Sequence, residues 1–329
     1  ALPEVTKTNS EGANIYTLVA QDIPPLKKEE FSSYDGSKMR LEFKLDYNKA
    51  TDSKLFQWSN ATELLHSRVF LISEADKKSI QEVLDKLELK KKKTLQQKMA
   101  AIEDHIKTNY YLDENASFQG SDISFILENR IGSKIGLTKF MLNAFKLTGA
   151  DPQLVLTADR SKVPFDGEFQ SYNYLQEYII YLPSEDSFVA TYTPEYRYGM
   201  VPAPLKATEG LFIREAENES GVSPSYEIRT VPPLSAKDNL DKMEVRVTFN
   251  DDLSANKVKL IRTFNGYQAA FIKAVYPLIE EARKQELLKS LVKFLAADAS
   301  INTLKMEDDF SFTTWDVPLA LRFKCRGGW

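Results

Sequence analysis

Thiols and imidazoles are the side chains from which most nucleophilic sites are built, and this chain has very few of either. Cys325 is the only cysteine, and His66 and His105 are the only histidines. Acyl transfer by a thiol requires a thiolate with a base close by. Cys325 lies in Phe323-Lys324-Cys325-Arg326-Gly327-Gly328-Trp329, away from both histidines in sequence, and is assigned no catalytic role. His105 falls inside a helical pattern and His66 in Leu64-Leu65-His66-Ser67-Arg68; neither has an evident partner, so both read as structural or surface residues. A single thiol excludes an internal disulfide, and one cysteine with two histidines is too small a set for the usual zinc site. No metal and no cofactor are expected. Tyrosine, by contrast, is concentrated between Tyr172 and Tyr198. Tyr178 and Tyr181 flank Ile179 and Ile180 in a strand pattern. Tyr174, Tyr192, Tyr196 and Tyr198 fall in loops, where rings and hydroxyls either grip sugar or peptide or fill a buried seam.

The elements that must position such groups follow from periodicity. Asn14-Ile15-Tyr16-Thr17-Leu18-Val19 and Met39-Arg40-Leu41-Glu42-Phe43-Lys44-Leu45 read as strands, the second alternating with period two. From about Leu55 the pattern turns helical. Ser73 caps a helix carrying Ile80, Val83, Leu84 and Leu87, and Leu95, Met99, Ile102 and Ile106 recur at helical spacing after the basic run Lys90 to Lys93, a solvated face or turn. Lys134 to Leu147 is apolar almost all round and ends before Gly149, as a buried helix should. Strands follow at Leu154-Val155-Leu156-Thr157, Tyr178-Ile179-Ile180-Tyr181-Leu182 and Phe188-Val189-Ala190-Thr191. A Ser- and Pro-rich stretch from Val222 to Ser235 marks a boundary. Beyond it come a hairpin through Asp251-Asp252, a helix from about Ile279 to Phe294, and strand patterns at Ile301 to Met306 and Leu319 to Phe323. The order is α+β, with domains expected at 1–70, 71–222 and 223–329.

Composition narrows the partners. The 43 basic and 47 acidic residues are interspersed and leave a net charge of −4, too weak a field for nucleic acid. No apolar run approaches the roughly 18–20 residues of a membrane helix. Ala1 opens a polar stretch without a signal-peptide pattern, which suits a processed mature end or a trimmed segment equally well.

Several stretches between Met99 and Ile213 carry a family likeness: Ile106-Lys107-Thr108-Asn109-Tyr110-Tyr111 closing one helix, Ile126-Leu127-Glu128-Asn129-Arg130-Ile131-Gly132-Ser133 leading into the next, and Phe145-Lys146-Leu147-Thr148-Gly149-Ala150 before the strand Leu154 to Arg160. The segment resembles the transglutaminase-like superfamily, with its papain-like fold. In catalytic relatives a Gly-x-Cys-Lys-Asp element opens the central helix. Laid on Gly132-Ser133-Lys134-Ile135-Gly136, it puts Lys134 where the cysteine belongs. The Asn-His pair of the next strand corresponds to Gln176-Glu177, and the Asp-Pro-Thr of a further strand to Thr191-Tyr192-Thr193. The outer segments resemble β-rich domains of unknown function that flank such domains in large exported bacterial proteins, which implies an exported or periplasmic location.

By this resemblance Lys134, Glu177 and Thr191 are the vacated triad positions and should meet in space. The chain is then expected to be a pseudoenzyme whose cleft binds a peptide, glycan or protein partner, with Ser133, Tyr174 and Tyr192 as candidate ligand contacts. The alternatives are a divergent hydrolase or acyltransferase using Ser133 or Glu177, and a pure scaffold with its cleft filled. Lys134 does not replace a thiolate simply, since an ammonium must lose its proton before it attacks.

Overall fold

A computed structural model describes residues 5–30, 32–116, 118–219, 221–276, 279–293, 300–307 and 319–328. The chain opens with an exposed antiparallel hairpin, β1 (Val5–Ser10) and β2 (Ala13–Leu18), followed by the short pair β3 (Tyr47–Asn48) and β4 (Ser53–Lys54). Four helices come next: α1 (Trp58–Val69), α2 (Glu74–Asp85), α3 (Leu95–Asn109) and, after the two-residue strand β5 (Tyr111–Leu112), α4 (Ile123–Asn129). Strand β6 (Ile131–Gly132) pairs in parallel with β5 and leads directly into α5 (Lys134–Leu147). Strands β7 (Gln153–Thr157), β8 (Glu177–Leu182), β9 (Ser187–Ala190), β10 (Thr208–Asn218) and β11 (Gly221–Val231) form one antiparallel sheet in the order β11-β10-β7-β8-β9. The mixed α+β class read from the element order is the observed one.

Period-two alternation gives this sheet two apolar faces. Leu154, Leu156, Ile180, Val189, Leu211 and Ile213 point to one side, where they join Phe140, Met141 and Phe145 of α5 and the inner faces of α1, α2, α3 and α4. Val155, Ile179, Phe188, Ala190 and Phe212 point to the other and are covered by Val201, Leu205 and Val231. Residues of α5 are buried on nearly every side, which explains why its sequence lacks a polar face. Ser133 caps it, its Oγ accepting the Gly136 N–H at 3.2 Å. Gly136 lets the preceding turn approach: a Cβ there would lie 2.1 Å from the Gly120 carbonyl oxygen, which itself accepts the Ser133 N–H at 2.9 Å.

The domain limits expected from sequence move. Helix α1 belongs to the central core through Trp58, Ala61, Leu65 and Val69. The indole Nε1 of Trp58 also donates to the Gly167 carbonyl at 2.9 Å. At the other end, the Ser- and Pro-rich stretch up to Val231 lies in strand β11, which pairs with β10 along its whole length. Pro224 is accommodated because β11 is the sheet edge, where a missing N–H costs no ladder bond. The central body therefore runs from about residue 58 to 231. A third correction concerns residues 39–45, which pair with no strand among the described residues. Their alternation instead turns Glu42 and Lys44 onto the body, bonded to the Tyr174 hydroxyl and the Gln170 carbonyl, and leaves Met39, Leu41, Phe43 and Leu45 exposed.

Beyond the central body, β12 (Asp241–Phe249) and β13 (Ala255–Phe264) form the hairpin expected through Asp251-Asp252. Helices α6 (Gly266–Val275) and α7 (Glu281–Lys293) follow, then β14 (Ser300–Glu307) and β15 (Leu319–Gly328), which complete a four-stranded antiparallel sheet in the order β12-β13-β15-β14. Phe294, the expected end of α7, lies outside the described residues. Leu260, Phe264, Ala269, Ile272 and Leu288 make a separate small core. Cys325 stands in β15 opposite Val258 of β13.

Candidate functional site

Three elements aim at one point on the central body. The first residue of α5 is Lys134 and the first of β8 is Glu177, while Thr191 directly follows β9. The Lys134 ammonium donates to Glu177 Oε1 at 2.8 Å. Thr191 is buried one layer below: its hydroxyl meets that of Thr138 at 2.8 Å and donates to the Tyr178 carbonyl at 3.3 Å. Thr138 in turn donates to the Lys134 carbonyl at 2.8 Å, so a short chain of hydroxyls links Thr191 to the start of α5. Thr138 was not singled out in the sequence, where a threonine in an apolar helix looks like filler.

Tyr192 closes the cluster. Its hydroxyl donates to Glu177 Oε2 and accepts the Tyr178 N–H at 3.2 Å, and its ring centroid lies 5.4 Å from the Lys134 ammonium, within cation–π range. Burial, reinforced by the Glu177 carboxylate, pushes the Tyr192 phenol far above its ordinary value, so it remains a hydrogen-bond donor. Both Glu177 oxygens are thus engaged, one by an ammonium and one by a phenol. The pair is partly open to solvent, with the Lys134 and Glu177 side chains 31% and 23% exposed.

The cluster lies in a groove of about 280 Å³ bordered by Leu112, Glu114, Asp159, Thr193, Pro202 and Pro204. A second hollow of about 220 Å³ shares Leu112 and Tyr192 with it and continues past Tyr110, Tyr111 and Pro194. Residues 110–114 form one wall and residues 192–194 the other. Beneath the second hollow lies an ion pair with both side chains almost wholly excluded from solvent, Glu103 and Lys107 at 2.6 Å, with the Lys107 ammonium also donating to the Tyr196 carbonyl. Burial raises the proton affinity of Glu103 and lowers that of Lys107. Of the residues in these two walls, Tyr192 was expected from sequence as a ligand contact; the others were not, because nothing in a loop composition distinguishes a wall from a surface.

Two sequence candidates lie apart from the ligand-contact role expected of them. Tyr174 is 1% exposed, packed between Phe165 and Phe169 with its hydroxyl donating to Glu42, and borders neither hollow. It is a core residue because the loop that carries it folds over Trp58 and Phe165 rather than toward α5. Ser133 is occupied by capping: its hydroxyl donates to the Gly120 carbonyl at 3.1 Å, lies 3.4 Å from the Ser121 hydroxyl and accepts the Gly136 N–H. His66 faces Glu215 at 3.0 Å and His105 faces Asn109, so neither joins the groove. Among the described residues no group of three His, Cys, Asp or Glu side chains is arranged to hold a metal ion, and no helix is long and apolar enough to cross a membrane. Comparison with protein-family models, with curated proteins and with solved structures found no match to this chain.

Proposed function

We propose that the chain is a noncatalytic binding protein on a transglutaminase-like frame, which holds a partner in the groove between residues 110–114 and 192–194. The observation that carries this reading is the self-satisfied cluster of Lys134, Glu177 and Tyr192 in a groove that stays open. The Lys134 nitrogen is directed at Glu177 Oε1 and the Tyr192 hydroxyl at Oε2, so neither the amine nor the carboxylate is placed to act on a substrate. The same three groups are well suited to recognition, offering a fixed charge pair beside an aromatic face. The arrangement of Lys134 at a helix start, Glu177 at a strand start and Thr191 after the neighbouring strand supports the family likeness. Hydrolysis through Ser133 gains no support, since its hydroxyl hydrogen bonds run to Gly120, Ser121 and Gly136.

The reading is tested by incubating the protein with peptide and glycan arrays, then eluting and weighing what is retained. The expected result is retention that falls on Tyr192→Ala, with every ligand recovered at unchanged mass. Cleavage or acyl transfer that disappears in Ser133→Ala, Glu177→Gln or Cys325→Ala would replace it with an enzymatic one.

A further inference from the structure

Main-chain geometry in the groove wall identifies the class of partner. Strand β5 has one paired edge: the Tyr111 N–H donates to the Arg130 carbonyl at 2.9 Å and the Asp113 N–H to the Gly132 carbonyl at 3.0 Å. Successive residues of a strand turn their N–H and C=O to opposite edges. Those of Leu112 therefore face away from β6, and no hydrogen bond within the described residues engages either group. Leu112 is also the residue of this wall common to both hollows. An unpaired N–H and C=O in one half-buried residue of a groove wall is the edge that an extended peptide pairs with. A glycan, with no regular alternation of donor and acceptor, has no equivalent match.

Charge specifies the peptide further. Lys134 is spent on Glu177 and Lys107 on Glu103. Glu114 and Asp159 then leave the first hollow with an excess of negative charge: Asp159 Oδ1 accepts the Ser161 N–H at 2.9 Å and its hydroxyl at 2.5 Å, both neutral donors, and Oδ2 lies 3.7 Å from the exposed Lys162 ammonium. We propose that the groove binds a polypeptide segment in extended conformation, paired through its backbone with Leu112, and that a basic side chain of that segment lies between Glu114 and Asp159. Tyr110, Tyr111 and Tyr192 pack against its neighbours along the second hollow.

This inference rests on the groove being the binding site, and the experiment separates the two claims. Blocked hexapeptides with lysine fixed at one position are titrated against the intact chain, in parallel with the same set carrying norleucine there and with a set N-methylated one residue at a time. Amide hydrogen exchange is followed at Leu112 throughout. The expected outcome is slowed exchange at Leu112, about tenfold weaker binding for norleucine and for a single N-methyl position, and loss of the lysine preference in Glu114→Gln, Asp159→Asn. Peptides that bind, lose affinity on Tyr192→Ala, but leave Leu112 exchange and every N-methylated peptide unaffected would overturn the strand pairing and leave the groove intact. Glycans bound there in preference to peptides would do the same. Absence of any Tyr192-dependent binding, by peptide or glycan, would overturn both.

Discussion

Glu103 and Lys107 form an ion pair almost wholly excluded from solvent, and they lie directly beneath the aromatic half of the groove. Removing water from both is costly, and their mutual attraction returns that cost only while both are present. Lys107→Met should therefore destabilise the central body by about 3–5 kcal/mol, because it strands a buried carboxylate, whereas Glu103→Leu, Lys107→Met together should recover most of the loss. Urea denaturation of the wild type and the two variants measures this. A double variant no more stable than the single one would mean that the pair is held by its other contacts, not by each other. The Lys134–Glu177 pair differs: it is partly solvated, so its own contribution to stability is only about 1 kcal/mol or less. At this scale the meeting of Lys134 and Glu177 was expected from sequence, and the two side chains do meet. The burial of Tyr174 was not, because a loop tyrosine looks the same in sequence whether its loop turns inward onto Phe165 or outward to solvent.

The start of α5 is the element on which the site depends. Ser133 caps it and Gly136 admits the Gly120 carbonyl, so both the helix and the wall that precedes it are fixed by the same turn. Ser133→Ala should cost about 1 kcal/mol, the usual price of a lost cap. Gly136→Ala should cost more even though alanine is the better helix former, since its methyl group would collide with backbone. Thermal unfolding compares them; a Gly136→Ala variant as stable as wild type would show that the turn yields. The far end of α5 is tied down by Glu215 of β10, which accepts from Lys146 at 2.5 Å and contacts His66 at 3.0 Å. Burial alone would raise its carboxyl, but the hydrogen bonds from Lys146 and His66 outweigh that and hold it below the ordinary glutamate value. A depressed folded-state value stabilises the fold above the unfolded value near 4.3 and is lost as pH falls through the folded one. Glu215→Gln should accordingly flatten the loss of stability from about pH 5 downward and leave a constant deficit near pH 7. An unaltered acid limb would remove Glu215 from that role. Helix α5 itself was readable from sequence to the residue, since its apolar surface and the stop at Gly149 agree. Strand β11 was not, because Pro224 and the flanking serines mark a linker and an edge strand alike. Residues 39–45 misled for the opposite reason: alternation records two different faces, and there the inner face meets loop groups such as Gln170 instead of a strand.

At the scale of the whole molecule the described residues form three apolar clusters, one on each face of the five-stranded sheet and one under the C-terminal hairpin. Among the contacts between the central and C-terminal bodies, the Tyr267 hydroxyl donates to the Val201 carbonyl at 3.0 Å and its ring meets Tyr196 edge-on at 6.1 Å. The C-terminal cluster is separate from those on the central sheet, which is the basis for expecting it to unfold on its own. Calorimetry should show two unfolding transitions, moved further apart by Tyr267→Ala; a single transition indifferent to that substitution would mean the bodies unfold together. The groove lies wholly in the central body, and it is there that the central claim is decided. Isothermal titration of a retained peptide into the wild type and Tyr192→Ala reads affinity and turnover at once, because binding gives saturating heats and catalysis a continuing one. The account predicts saturation with the wild type, affinity at least about tenfold weaker in the folded variant, and no continuing heat in either. Undiminished affinity in Tyr192→Ala, or a steady heat that consumes the peptide, would contradict it.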